Sequence, residues 1–251
     1  MCMPSLLYCR HLLLVTCLLF APIFAWGQVG VPSTQDQLIS TAKYPDGTVI
    51  PYMLTTRDGV KPKRLIVLMP GGMGNLDPRL EDGRLVFNFA GNFLIRSRHL
   101  FADDESLIVS TNSTESPERM RAILLDMKQR YGSLPVLMIG TSKSTYSTME
   151  LARKMDGEIV AFVHTASMNS IASFDPRSLK SKHLLVHHLQ DACHLTGYYS
   201  AKRHHERYET PLITMQGGWS EGDPCLAAAY HGFKGIEVET VNKIRQWLAG
   251  L

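Results

Sequence analysis

A chain of 251 residues has room for one full α/β core, and 45% apolar with 20% charged residues sets it among folded globular proteins, not disordered or fibrous ones. Its net charge of +3, with no basic cluster interleaved with aromatics, excludes an electrostatic case for nucleic-acid binding. No repeat or low-complexity block interrupts it.

The chain opens on "MCMPSLLYCRHLLLVTCLLFAPIFAWGQ", with one cation (Arg10), an apolar run from Leu12 to Phe20 and small residues near the end. That is the layout of a secretory signal peptide, with Ile23-Phe24-Ala25 or Ala25-Trp26-Gly27 as the cleavage site. Residues 1–27 are therefore expected to be a leader and 28–251 the mature domain, periplasmic or secreted. The apolar run is short of the ~20 residues a spanning helix needs, so no membrane span is expected after cleavage. Thr16 before Cys17 argues against a lipid-attachment cysteine. Cys2, Cys9 and Cys17 leave with the leader, and an exported protein left with Cys193 and Cys225 most simply joins them.

Beyond the leader, short β-branched apolar runs alternate with helical patterns. "TVIPYML" (48–54), "RLIVLMP" (64–70) and "SLIVSTN" (106–112) read as strands. A helix follows from Pro117: Ser116 is its cap, proline suits its first position, and Met120, Ile123, Leu124, Met127 and Tyr131 share a face. "PVLMIG" (135–140) with its helix, "EIVAFVHTA" (158–166), "HLLVHHL" (183–189), a polar helix near 197–208 and "PLITMQGG" (211–218) come next. A terminal helix carries Val241, Ile244 and Leu248 on one face. Near-continuous apolar strands separated by helices predict a mostly parallel central sheet with helices on both faces. Ligands of such sheets bind beyond the carboxyl ends of the strands.

One junction at such an end stands out. "VLMIGTSKSTYSTMELA" (136–152) is an apolar strand, a tight turn and a helix start. A phosphate-cradling loop would need glycine immediately before Lys143, where Ser142 stands, and a glycine where Val136 stands. A nucleophile elbow needs small residues two before and two after its serine, because the turn is crowded against the sheet. Gly140 and Ser144 meet that need around Ser142. Acyl transfer also needs two backbone N–H groups for the oxyanion. Lys143 supplies one, and Gly72 or Met73 in "MPGGMGNL" (69–76) supplies the other. The acid and base should follow in the order Ser, Asp, His. Asp191, past "HLLVHHL", and His231, in "AAAYHGFKG", have that order. Asp175 and Asp223 are rival acids; His194, His204 and His205 are rival bases. A Cys193–Cys225 bridge would pin the acid loop to the base loop.

With these residues in hand, the chain resembles the exported bacterial serine hydrolases of the α/β-hydrolase superfamily across essentially its whole mature region. The resemblance rests on Pro70-Gly71-Gly72, Gly140-Thr141-Ser142-Lys143-Ser144, Asp191 beside Cys193, and "HGFKGIE" (231–237). It implies the α/β-hydrolase fold and a Ser142–His231–Asp191 triad that cleaves an ester or related acyl bond without a cofactor. Ser144 departs from the usual second glycine. The expected partner is a small-molecule or acyl-bearing substrate. Only a short segment separates "FVHTA" from "HLLVHHL", which leaves no room for a large cap domain. Two alternatives come from other classes. A non-catalytic binding protein could use the same fold. A metal could sit among His187, His188, Asp191 and His194, but neighbouring strand residues point to opposite faces, so no metal is expected.

Overall fold

In the computed structural model, which describes residues 33–251, the expected leader at 1–27 lies outside the described residues. The strands are β1 (Thr34–Ile39), β2 (Tyr52–Arg57), β3 (Arg64–Met69), β4 (Arg79–Glu81), β5 (Arg84–Val86), β6 (Ser106–Ser110), β7 (Val136–Thr141), β8 (Ala161–Thr165), β9 (Lys182–His188) and β10 (Leu212–Met215). The helices are α1 (Phe93–Arg96), α2 (Arg98–Phe101), α3 (Pro117–Tyr131), α4 (Thr145–Lys154), α5 (Tyr198–Tyr208) and α6 (Glu237–Ala249). Eight strands make one sheet in the order β1-β2-β6-β3-β7-β8-β9-β10, and β4-β5 is a separate hairpin. β2 runs antiparallel to both its neighbours. From β6 to β10 every pairing is parallel.

The sheet explains why its central strands lack polar alternation. Successive side chains point to opposite faces, and both faces are covered. In β3, Leu65, Val67 and Met69 enter one core with Met120, Ile123 and Met127 of α3 and Leu151 of α4. Ile66 and Leu68 enter the other, with Phe101 of α2 and Val241, Ile244 and Leu248 of α6. Each of these side chains, fully buried, contributes on the order of 1.5–3 kcal/mol.

α3 begins as its sequence dictates. Ser116 Oγ accepts from Arg119 N at 3.2 Å, Pro117 occupies the first turn, and Gly132 ends the helix at φ 80°. Asp126 lies buried on the apolar face of α3, where it accepts from Tyr52 Oη at 2.5 Å and Arg130 Nε at 3.0 Å. A carboxylate is thus tolerated there because it is paired.

Several elements depart from the sequence reading. The strand expected at 48–54 begins at Tyr52, and Val49 makes only an isolated bridge to Lys43. β1 was not anticipated: "TQDQLI" is too polar to announce a strand, and its pairing with β2 recruits it to the sheet edge, where polar residues discourage intermolecular pairing. The strand expected at 211–218 stops at Met215, and Gly217 and Gly218, at φ 94° and 69°, turn the chain away. The hairpin β4-β5 and the one-turn helices α1 and α2 also escape the sequence, being too short to carry a period.

Candidate active site

Ser142 follows the last residue of β7 and stands at φ 54°, in the left-handed region. A non-glycine residue there is uncommon and is held only by its surroundings. Those surroundings are tight. A Cβ on Gly140 would lie 2.8 Å from Thr148 Cγ2 and 2.9 Å from the Ser144 carbonyl oxygen. A Cβ on Gly71 would lie 2.8 Å from Ser142 Cβ. Both glycines are required by close approach, one from the helix side of the turn and one from the loop after β3.

Ser144, where a nucleophile elbow usually has a glycine, fits because its φ is −68° and its side chain has work in the fold. Its buried hydroxyl donates to the Pro70 carbonyl and lies 2.9 Å from Ser113 Oγ, which is 2.7 Å from Ser147 Oγ. This hydroxyl ladder ties the turn at Ser142 to the loop that opens at Pro70.

Past β9, Asp191 is buried. Its Oδ2 receives His231 Nδ1 at 3.0 Å, Thr196 Oγ1 at 3.1 Å and His187 Nε2 at 3.2 Å. Its Oδ1 accepts from Cys193 N at 3.0 Å. Burial alone would raise its carboxyl, but the hydrogen bonds from His187 and His231 outweigh that and hold it well below the usual carboxylate range. With an ionised carboxylate as its partner, His231 carries its proton on Nδ1, which leaves Nε2 as a base. His187 Nε2 also faces the Thr196 carbonyl at 2.6 Å, so both its partners are acceptors and Nε2 carries the proton. His187 Nδ1 is buried with no hydrogen-bond partner among the described residues.

His231 lies in a single turn of 3₁₀ helix, Tyr230–Gly232, between β10 and α6. It and Ser142 line one cavity of about 500 Å³. Gly71, Gly72, Met73 and Lys143 line it too, so the proposed oxyanion donors border the same space. Phe89, Phe93, Met168, Leu195 and Leu226 give the cavity its apolar surface. Cys193 and Cys225 also line the cavity and are joined by a disulfide, with Cα atoms 4.6 Å apart. The bridge links the Asp191 loop to the segment that leads into His231.

The rival residues lie elsewhere. Asp175 is exposed beside Arg177, whose hydrogen bonds bring its carboxyl down to about 2. Asp223 is exposed and accepts from Cys225 N at 2.7 Å. His204 is buried between the Ile171 carbonyl and Thr210 Oγ1, and His205 meets the Thr210 carbonyl at 2.7 Å. His194 sits on the surface, its Nδ1 3.9 Å from Cys225 Sγ. His187 and His188 diverge, as neighbours on a strand must: His188 Nε2 donates to the Gly217 carbonyl at 2.9 Å and its ring stacks on Tyr230. Cys193, His194 and Cys225 cluster within 4.8 Å, but the two sulfurs are bonded to each other.

Thr196 and Phe89 carry no signal in the sequence, and His187 stands out there only as a metal candidate. Thr196 and His187 converge on Asp191 only after β9 and its loop fold back. Phe89 reaches the cavity from a loop that carries no regular pattern. Ser113 lies just past the strand expected at 106–112, on the carboxyl edge where functional loops gather.

No protein-family model and no curated protein sequence matches the chain. Solved structures match it in fold. A cold-adapted esterase from an Arctic intertidal metagenomic library shares 13% identity at a TM-score of 0.58, with 85% of this chain and 94% of that one covered. An α/β serine hydrolase homologue from Coxiella burnetii shares 15% at 0.54, covering 85% and 95%. A Xanthomonas campestris α/β serine hydrolase described as without lid shares 11% at 0.52, covering 83% and 94%. This chain has the α/β-hydrolase fold: a mostly parallel sheet between helical layers, with no large cap domain among the described residues.

Proposed function

We propose that the protein is a serine hydrolase that cleaves an ester or related acyl bond, with Ser142 as nucleophile, His231 as general base and acid, and Asp191 as the group that orients and charges the imidazole. One observation carries the reading. Ser142, held at φ 54° at a strand end, faces the same cavity as His231, whose Nδ1 is 3.0 Å from a buried Asp191. The resemblance of the fold to esterases and serine hydrolases adds to it.

In the first half-reaction the Ser142 Oγ–carbonyl carbon bond forms while His231 Nε2 takes the hydroxyl proton. The oxyanion is met by the backbone N–H of Lys143 and of Gly72 or Met73. The carbonyl carbon–leaving oxygen bond then breaks and His231 returns the proton to the leaving oxygen. Water repeats the sequence on the acyl-enzyme and releases the acid. Asp191 stays ionised throughout and stabilises the imidazolium.

The mature protein acts in the periplasm or outside the cell on a small-molecule or acyl-bearing substrate, with no nucleic-acid partner and no cofactor. A fluorophosphonate probe tests the reading. It should label the protein covalently at Ser142, and Ser142→Ala should abolish labelling and lower ester turnover by several orders of magnitude with the melting curve kept. An unlabelled protein would make this a binding fold without catalysis; near-full turnover in Ser142→Ala would remove Ser142 from the role.

A further inference from the structure

Phe89 combines two features that rarely meet. It is an aromatic residue at φ 56°, a conformation that bulky side chains adopt only under constraint. It also lines the cavity that holds Ser142 and His231. The constraint is visible on both sides. Asn88 N donates to the Leu76 carbonyl at 2.7 Å and Asn88 Nδ2 to the Asn75 carbonyl at 3.1 Å, while the Phe89 carbonyl accepts from Asn92 N at 2.8 Å. The loop after β3 therefore grips the segment just before Phe89. The ring is directed at that same loop: a Cβ on Gly72 would meet Phe89 Cε1 at 3.2 Å. Strain held in place at a ligand wall is the pattern expected of a side chain that shapes binding.

The chemistry assigns the side of the substrate this wall would meet. His231 must protonate the leaving oxygen, so the leaving group adjoins His231, beside Gly232 and Ala227 of the cavity rim. The oxyanion points at the backbone N–H of Lys143 and of Gly72 or Met73. The acyl substituent is left with the apolar part of the lining, of which the Phe89 ring, packed against Gly72, is one face. Resting on the acyl-transfer reading above, we propose that Phe89 forms the acyl-binding wall, and that the substrates are esters of apolar carboxylic acids whose acyl length Phe89 sets. A cavity of about 500 Å³ lies toward the small end of ligand sites, which suits an acyl group of roughly four to eight carbons together with a small leaving group.

Two ester series test this. One varies the acyl chain from acetyl to dodecanoyl on a fixed p-nitrophenol; the other varies a straight-chain alcohol on fixed butyric acid. Wild type should gain about fourfold in kcat/KM per added methylene up to its optimum acyl length, then fall. Phe89→Ala should move that optimum at least two carbons longer and change the ratio between short and long acyl chains by roughly tenfold. The alcohol series should keep its profile in the variant. Phe89→Gly, which relieves the left-handed conformation, should melt at or above Phe89→Ala while showing the same longer optimum. An unmoved acyl optimum in a variant with a cooperative melt overturns the assignment, as does a shift confined to the alcohol series. Failure of wild type to turn over any ester or to react with the fluorophosphonate probe overturns the acyl-transfer reading itself, and this assignment with it.

Discussion

Asp191→Asn is the sharpest probe of the site, because all four hydrogen bonds to the carboxylate come from donors. Oδ2 serves His231, Thr196 and His187, and Oδ1 serves Cys193 N. An amide has one oxygen and one NH₂ group. With the oxygen toward His231, the NH₂ opposes the Cys193 N–H. With the oxygen toward Cys193, the NH₂ opposes three donors, and Thr196 Oγ1, 2.9 Å from His231 Nδ1, is left to accept the imidazole proton in place of the carboxylate. Either way the negative charge that stabilises the imidazolium is gone. The expected loss in kcat is about 10⁴-fold, equivalent to about 5 kcal/mol of barrier. Weakened hydrogen bonds to a buried charge should also lower stability by roughly 2–3 kcal/mol, or about 5–10 °C in melting temperature for a domain of this size. That stability difference has a pH signature. Because the folded carboxyl is held low, Asp191 stabilises the fold above its unfolded pKa of about 3.9, and the contribution is lost as pH falls through the folded value. Stopped-time assays on an activated ester, labelling rates with the fluorophosphonate, and melts at several pH values measure all three. A folded Asp191→Asn within tenfold of wild-type kcat would refute the role and return Asp175 and Asp223 to consideration.

Gly72→Val places a branched side chain at φ 65° and 3.2 Å from the Phe89 ring; ester kcat should fall at least a hundredfold by displacement of the oxyanion donor, with a stability loss of roughly 1–2 kcal/mol, and a loss of melting temperature alone would reduce this loop to a packing turn. Cys193→Ser opens the disulfide and should remove on the order of 3–4 kcal/mol of stability in the loop-entropy picture. It should also lower turnover, since the bridge holds the Asp191 loop against the segment before His231; unchanged kcat in a folded variant would confine the bridge to stability. Burial keeps His183 neutral in the fold, its pKa lowered to about 4, and also holds the neighbouring His164 well below its ordinary value. Unfolded histidines bind protons below about 6.5. Stability should therefore decline as pH falls from about 6.5 toward 4, by roughly 3 kcal/mol from His183 alone, and His183→Gln should flatten that slope; a pH-independent melting temperature across this window would contradict the buried neutral pair.

Local chemistry and periodicity make part of this fold legible in its residues. The apolar runs of β3, β6, β7, β8 and β9 need two covered faces, so they announced a parallel sheet before any contact was known. Ser116-Pro117 marked the start of α3, and Val241, Ile244 and Leu248 marked the buried face of α6. Gly140-x-Ser142 was legible because a sharp strand-to-helix turn tolerates few residue types. Asp191 is expected over Asp175 and Asp223 from its place just past an apolar strand, and the structure joins Cys193 to Cys225, the two cysteines outside the expected leader. Other features depend on contacts between segments distant in the chain. β1 is a strand because β2 offers it an edge, not because "TQDQLI" favours extension. Ser144 can replace glycine because its hydroxyl finds the Pro70 carbonyl across the turn. His187 and Thr196 reach Asp191 through a fold-back of the loop, and Phe89 enters the cavity from a left-handed backbone that the loop after β3 imposes. Periodicity reports which face of an element is buried; it does not report what a loop meets when it returns to the sheet edge, and in this chain the walls of the site are built from such returns.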